Sequence, residues 1–138
     1  MRVLFDTNVL LDVLLDRQPW VDDASAVWKL SDAGAIQGFI PASTFTDIYY
    51  IARRLTEVDT ALQAIHICLN AFDVCAVDRA TIAQAVTLPG KDFEDNVLIA
   101  CAVMNGIDTV VTRNADDFVD SPVAISTPTS LLARLSDS

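Results

Sequence analysis

Histidine occurs once in this chain, at position 66, and Lys and Arg together only nine times. One histidine, with no Cys/His cluster around it, gives a zinc site no ligand set. Nine cations against 19 acids leave a net charge of −10. That excludes a protein that grips nucleic acid unaided through a basic face. The three cysteines, Cys68, Cys75 and Cys101, lack CxxC spacing and sit among apolar neighbours. They are expected as buried free thiols of a reducing, cytoplasmic setting. No apolar run reaches the ~18–20 residues of a membrane span, so no membrane partner is expected. Asp6 and Asp12 interrupt the first apolar stretch, so no signal-peptide layout is expected either. Neither GxxxxGKS/T nor GxGxxG occurs, which leaves nucleotide-cofactor binding without support. Ser43 has no histidine base near it in sequence, and no catalytic triad can be argued.

What is present is apolar: 52% of the 138 residues are hydrophobic. That excludes disorder and is enough for one domain, 1–138, with a substantial core. The patterning predicts strands at Val3–Phe5, Gly38–Ala42, Phe72–Val77, Thr109–Thr112 and Val123–Ser126. Helices are predicted over Asn8–Leu15, Val21–Ala33, from Ser43 or Thr44 to about Arg54, and from an Asp59 cap to about Ala71. Others run from an Asp78 cap to an end before Pro89-Gly90 and over Phe93–Asn105, with a terminal helix capped by Thr127 or Thr129. Gly34 and Gly106 are the expected helix stops. Val97–Met104 is apolar on all sides, as in a central buried helix. Strands alternating with helices imply parallel βαβ units in an α/β fold, a three-layer sandwich around a central parallel sheet of four to five strands.

Against this background the placement of acids is unusual. Asp6 ends the first strand, at the carboxyl edge where open α/β sheets hold their sites. Strands disfavour Asp, and a buried carboxylate asks for a partner such as a metal ion. Asp47 lies within the apolar run Phe45–Ile51. Asp92 and Asp95 open the apolar helix with i,i+3 spacing on one face. Asn114, Asp116 and Asp117 follow the strand ending at Thr112. Each has a plainer reading: Asp92 or Asp95 as a helix cap favoured by the dipole, Asp47 as a solvated helix residue. Asp12 and Asp16 read as a solvated face, His66 as exposed or packed, and Arg53 and Arg54 as surface charge. Trp20, Trp28, Tyr49 and Tyr50 read as core or half-buried packing. Together, however, carboxylates converging at strand ends repel unless protonated or bridged by cations. Oxygen-only ligands suit Mg²⁺ or Mn²⁺, whose chemistry suits phosphodiester hydrolysis.

The segments Phe5-Asp-Thr-Asn-Val9, Lys91-Asp-Phe-Glu-Asp-Asn96 and Val110-Val-Thr-Arg-Asn-Ala-Asp-Asp-Phe118 resemble the PIN-domain family, in particular toxins of the VapC type. Pro41–Tyr50 matches more loosely. The resemblance implies a PIN-like α/β/α fold and a metal-dependent endoribonuclease, the toxin of a type II toxin–antitoxin pair. It implies catalytic acids at Asp6, Asp47, Asp95 and Asp117. Mg²⁺ or Mn²⁺ would be held by Asp6, Asp95, Asp92 and Asp117, supported by Asn8, Thr112, Asn114 and Asp116. It also implies an RNA substrate, a cognate antitoxin, a homodimer, and DNA contact only through the antitoxin. Two positions depart from the family pattern. Asp47 stands where such toxins usually have the longer Glu, and Asn114 where an acid often completes the site, so that Asp117 or Asp116 would substitute. These departures leave open a catalytically weak or inactive PIN-like binding module. An aspartyl-nucleophile phosphatase at Asp6 ranks last, because the second position of its usual Asp-x-Asp is Asn8.

Overall fold

Short apolar runs separated by capped amphipathic segments produce an alternating α/β chain. The computed structural model describes residues 1–137. In chain order the strands are β1 (Arg2–Phe5), β2 (Gln37–Pro41), β3 (Asp73–Cys75), β4 (Thr109–Val111) and β5 (Ala124–Ser126). The helices are α1 (Thr7–Leu14), α2 (Val21–Asp32), α3 (Thr44–Leu55), α4 (Val58–Ala71), α5 (Arg79–Val86), α6 (Phe93–Met104) and α7 (Pro128–Ser136). A 3-10 turn over Ala115–Asp117 separates β4 from β5.

All strand pairs are parallel, in the order β3-β2-β1-β4-β5. The period-2 alternation of strand side chains divides the core into two layers. Val3, Phe5, Ile40 and Val111 face one way, against α1, α2, α3, α4 and α7. Leu4, Phe39 and Val110 face the other way, against α5 and α6. The result is the expected three-layer α/β/α sandwich. Leu4 and Phe5 are both wholly buried, each contributing about 1.5–3 kcal/mol of apolar transfer energy.

Several local signals act as expected. Asp78 caps α5 in a reciprocal box with Thr81, Thr127 caps α7 ahead of Pro128, and Gly34 and Gly106 take positive φ just past α2 and α6. Gly38 is required for close approach: a Cβ there would meet the Phe72 ring at 2.7 Å.

Other expectations need correction. The α4 N-cap is Glu57 rather than Asp59, and it makes no side-chain cap bond. Neither Ser43 nor Thr44 caps α3 through its side chain; Ser43 is the N-cap position without such a bond. The third strand is confined to Asp73–Cys75, because only β2 pairs with it. α6 is buried from Asn96 to Ala102, but Val103 and Met104 emerge from the core at 40% and 46% exposure. The three cysteines are free and buried; burial pushes the Cys68 and Cys101 thiols up to about 12. Among the described residues no helix is long and apolar enough to cross a membrane.

Candidate active site

The strand order reverses direction between β1 and β4: β2 and β3 add on one side of β1, β4 and β5 on the other. A crevice forms at such a switch point, outside the carboxyl ends of the strands. Phe5 and Val111 are in register at the ends of β1 and β4, so the next residues, Asp6 and Thr112, flank the crevice.

Asp6 is fixed from several directions. Its backbone N–H donates to Val111 O at 3.0 Å. Its side chain caps α1, with Oδ1 accepting from Thr7 N at 2.8 Å. The Thr112 hydroxyl donates to Oδ2 at 2.7 Å, and the Asn8 amide reaches the same oxygen at 3.4 Å. Burial raises the Asp6 pKa, opposed by the Thr112 and Thr7 hydrogen bonds and aided by the charges of Asp47 and Asp92.

The first turn of α6 supplies three more acids. Asp92 is the N-cap, accepting from Asp95 N at 3.0 Å. Asp95 is pushed up to about 6, first by burial and then by Asp92, Asp6 and Asp117. Glu94 is pushed up to about 7, first by a hydrogen bond to Asp47 and then by burial and the charges of Asp47, Asp92 and Asp6. Glu94 therefore belongs to this group, although sequence reasoning assigned it no role. The available signal was its position in the same first turn as Asp95, one residue away.

The cleft these residues line is open, with a volume of about 600 Å³. Asp6, Asp47, Asp92, Glu94, Asp95 and Asp117 all reach it. Asn8 bridges two segments, its Oδ1 accepting from Arg113 N at 3.2 Å. Asn114 lines the cleft, and its backbone N–H donates to the Thr112 hydroxyl at 3.2 Å. Asp116 is exposed and does not line it. Of the two acids after Thr112, the 3-10 turn thus directs Asp117 inward.

Asp12 departs from its expected solvated face. It is 1% exposed and paired with two arginines, Arg17 Nε at 2.9 Å and Arg113 Nε at 3.1 Å. His66 is exposed, as expected. Trp28 is core, whereas Trp20 and Tyr50 remain 41% and 59% exposed.

The family model of the PIN domain matches residues 2–116. The chain belongs to the PIN-domain family. No curated protein matches it significantly. Solved structures share the fold of this PIN domain. A DNA-bound VapBC from Salmonella typhimurium aligns with a TM-score of 0.72 at 17% identity, over 93% of this chain and 98% of that one. A toxin–antitoxin complex from Klebsiella pneumoniae aligns with a TM-score of 0.69 at 22% identity, over 91% and 97%. VapC20 from Mycobacterium tuberculosis, a sarcin-ricin loop cleaving toxin, aligns with a TM-score of 0.66 at 16% identity, over 78% and 86%. At these identities the likeness concerns the fold.

The donor set of this PIN domain fits a hard divalent cation. Every candidate ligand is a carboxylate or amide oxygen, which suits Mg²⁺ or Mn²⁺. The raised pKa values of Asp6, Glu94 and Asp95 mark a place where added positive charge is favourable. Among the described residues no group of three or more His, Cys, Asp or Glu side chains is already placed to hold a metal ion. An open arrangement is compatible with Mg²⁺, which keeps several of its waters.

Proposed function

We propose that this PIN domain is a Mg²⁺- or Mn²⁺-dependent endoribonuclease and the toxin of a toxin–antitoxin pair. The observation that carries this reading is the convergence of acids from β1, α3, α6 and the turn after β4 on one cleft at the sheet switch point. Asp6, Asp92, Asp95 and Asp117 would hold the cation. When bound, it supplies an activated water and neutralises charge on the phosphate.

The protein's own groups have separable tasks. Thr112 and Asn8 hold Asp6 Oδ2 in place, and Asn114 steadies Thr112 through its backbone. Asp47 sits one methylene short of the usual Glu and acts through water or through Glu94. The added Glu94 carboxylate counts against a non-catalytic binding module, because it offsets the short Asp47 and the neutral Asn114. Asp116 keeps only a surface role.

Several of the fold relatives are toxin–antitoxin or VapBC complexes, some of them bound to DNA, which supports an antitoxin as this chain's partner. A basic antitoxin side chain would neutralise the same acids, and DNA would be reached only through it. A homodimer would use the apolar surface of α3 and α4, where Tyr50, Leu55, Val58 and Leu62 are exposed. Residues 1–138 would act as one cytoplasmic domain.

The test is cleavage of single-stranded RNA by the purified protein. Cleavage is expected with Mg²⁺ or Mn²⁺, and none with EDTA or after Asp6→Asn. Metal-independent cleavage that survives Asp6→Asn would overturn the mechanism.

A further inference from the structure

Nine basic residues serve the whole chain, yet Arg17, Arg54 and Arg113 all line the acidic cleft. Two of the three are anchored by a buried acid. Asp12 Oδ1 accepts from Arg17 Nε at 2.9 Å and from Arg113 Nη2 at 3.1 Å. One carboxylate serves two guanidiniums, so within this cluster of three side chains one positive charge is left over, beside the acids that line the rest of the cleft. Arg113 has a further constraint: its guanidinium carbon lies 3.8 Å from the centroid of the Trp20 ring. An ion pair at one end and a stacked ring at its face hold this cation in a defined plane.

A second groove, of about 280 Å³, is lined by Arg113, Pro19, Trp20 and Thr127–Thr129, and by Asp23, which accepts a hydrogen bond from the Thr129 hydroxyl. Arg113 lines both the groove and the acidic cleft, so the two cavities meet at this side chain. Trp20 is 41% exposed although Arg113 covers part of it.

We propose that this groove is a nucleobase subsite: it receives an unpaired base of the RNA next to the phosphate held in the acidic cleft, with Trp20 and Arg113 as its stacking platform. Single-stranded RNA is recognised in this way, by bases splayed onto aromatic rings and arginine planes while cations follow the backbone. A protein-docking groove would not need its one fixed cation shared with the phosphate-binding cleft; a base with its 5′ or 3′ phosphate does. The platform also accounts for RNA binding by a chain of net charge −10: a few placed arginines and a ring replace a basic face. The inference rests on RNA being the substrate, as proposed above.

The experiment uses the full chain carrying Asp6→Asn, so that bound RNA survives. Two ligands of equal length are compared in Mg²⁺, which neutralises the remaining acids of the cleft: a fluorescein-labelled oligoadenylate and the same ribose-phosphate backbone lacking bases. Fluorescence anisotropy is expected to show about tenfold tighter binding of the oligoadenylate, as one stacked base supplies. Only the oligoadenylate should quench tryptophan emission, since Trp28 is 8% exposed. Adding Trp20→Phe should abolish the quench and keep most of the affinity, whereas Trp20→Leu should lose the tenfold preference. Equal binding of both ligands to the Asp6→Asn protein, or equal oligoadenylate affinity of Trp20→Phe and Trp20→Leu, overturns the proposal and leaves the nuclease reading intact. Unchanged RNA affinity in Trp20→Leu together with lost self-association would assign the groove to a protein and likewise overturn it. A folded Asp6→Asn protein that binds neither ligand would instead remove RNA as the substrate. Should Trp20→Leu fail to fold, the two-ligand comparison and the quench still decide.

Discussion

Glu94 and Asp47 line the same part of the cleft, so the first turn of α6 meets α3 there, and the interaction between the two carboxyl groups is the first cause of the raised Glu94 pKa. Two carboxyl groups this close repel when both are ionised, which favours the protonated form of Glu94; a cation bound beside them would favour the ionised form instead. Glu94 is thereby tied to the position where the family's usual longer acid is missing. Glu94→Gln is expected to cut RNA cleavage about 10–100-fold, the range seen when groups supporting a metal site are removed. Asp47→Glu in the same background should recover part of the loss. Initial rates at saturating Mn²⁺ check both.

The pH dependence follows from Asp95 and Glu94. Their folded pKa values, about 6 and about 7, lie above the ordinary values of 3.8 and 4.5. An acid whose pKa is raised by folding binds more protons in the native state, so its contribution to stability is lost as pH rises through the folded value. The metal-free protein should therefore lose thermal stability between about pH 4 and pH 7. Mn²⁺, which prefers the deprotonated acids, should restore it most at the upper end. A metal-free melting temperature that climbs steadily across this window would contradict the assignment.

Thr112→Val keeps shape but removes the hydroxyl that donates to Asp6 at 2.7 Å. Asp6 would be less well held and its pKa would rise further, because burial would lose an opposing hydrogen bond. Mn²⁺ affinity by calorimetry should fall about 10–100-fold while the far-ultraviolet dichroism stays unchanged.

Asp12→Ala leaves Arg17 and Arg113 facing each other without their shared counter-ion. Removing one partner of a buried pair costs about 3–5 kcal/mol; here the arginines are partly solvated, so about 2–3 kcal/mol is expected. Urea unfolding measures it. The loop carrying Arg113 should loosen as well, giving faster amide exchange at Arg113, whose N–H is held by Asn8.

Much of the fold, and all but one of the acids that line the cleft, were legible along the chain. Asp6 was recognisable because a strand ending in a carboxylate is unusual chemistry for a strand, and Asp92 and Asp95 because their i,i+3 spacing fixes a shared face whatever the helix packs against. These are local constraints: backbone periodicity, capping and burial patterns depend on residues a few positions apart. The rest depends on distances the sequence does not contain. Asp12 looked like a surface acid because its two arginines are five and 101 residues away. Glu94 carried no assignment until α3 brought Asp47 against it. Asp117 and Asp116 were interchangeable until the turn at Ala115–Asp117 turned one into the cleft. Trp20 read as packing until Arg113 came to lie on its face. Helices, strands and their order were thus determined by short-range pattern. The partners of each charged group were decided by tertiary structure, because a charge is defined energetically by what it meets, and what it meets comes from elsewhere in the chain.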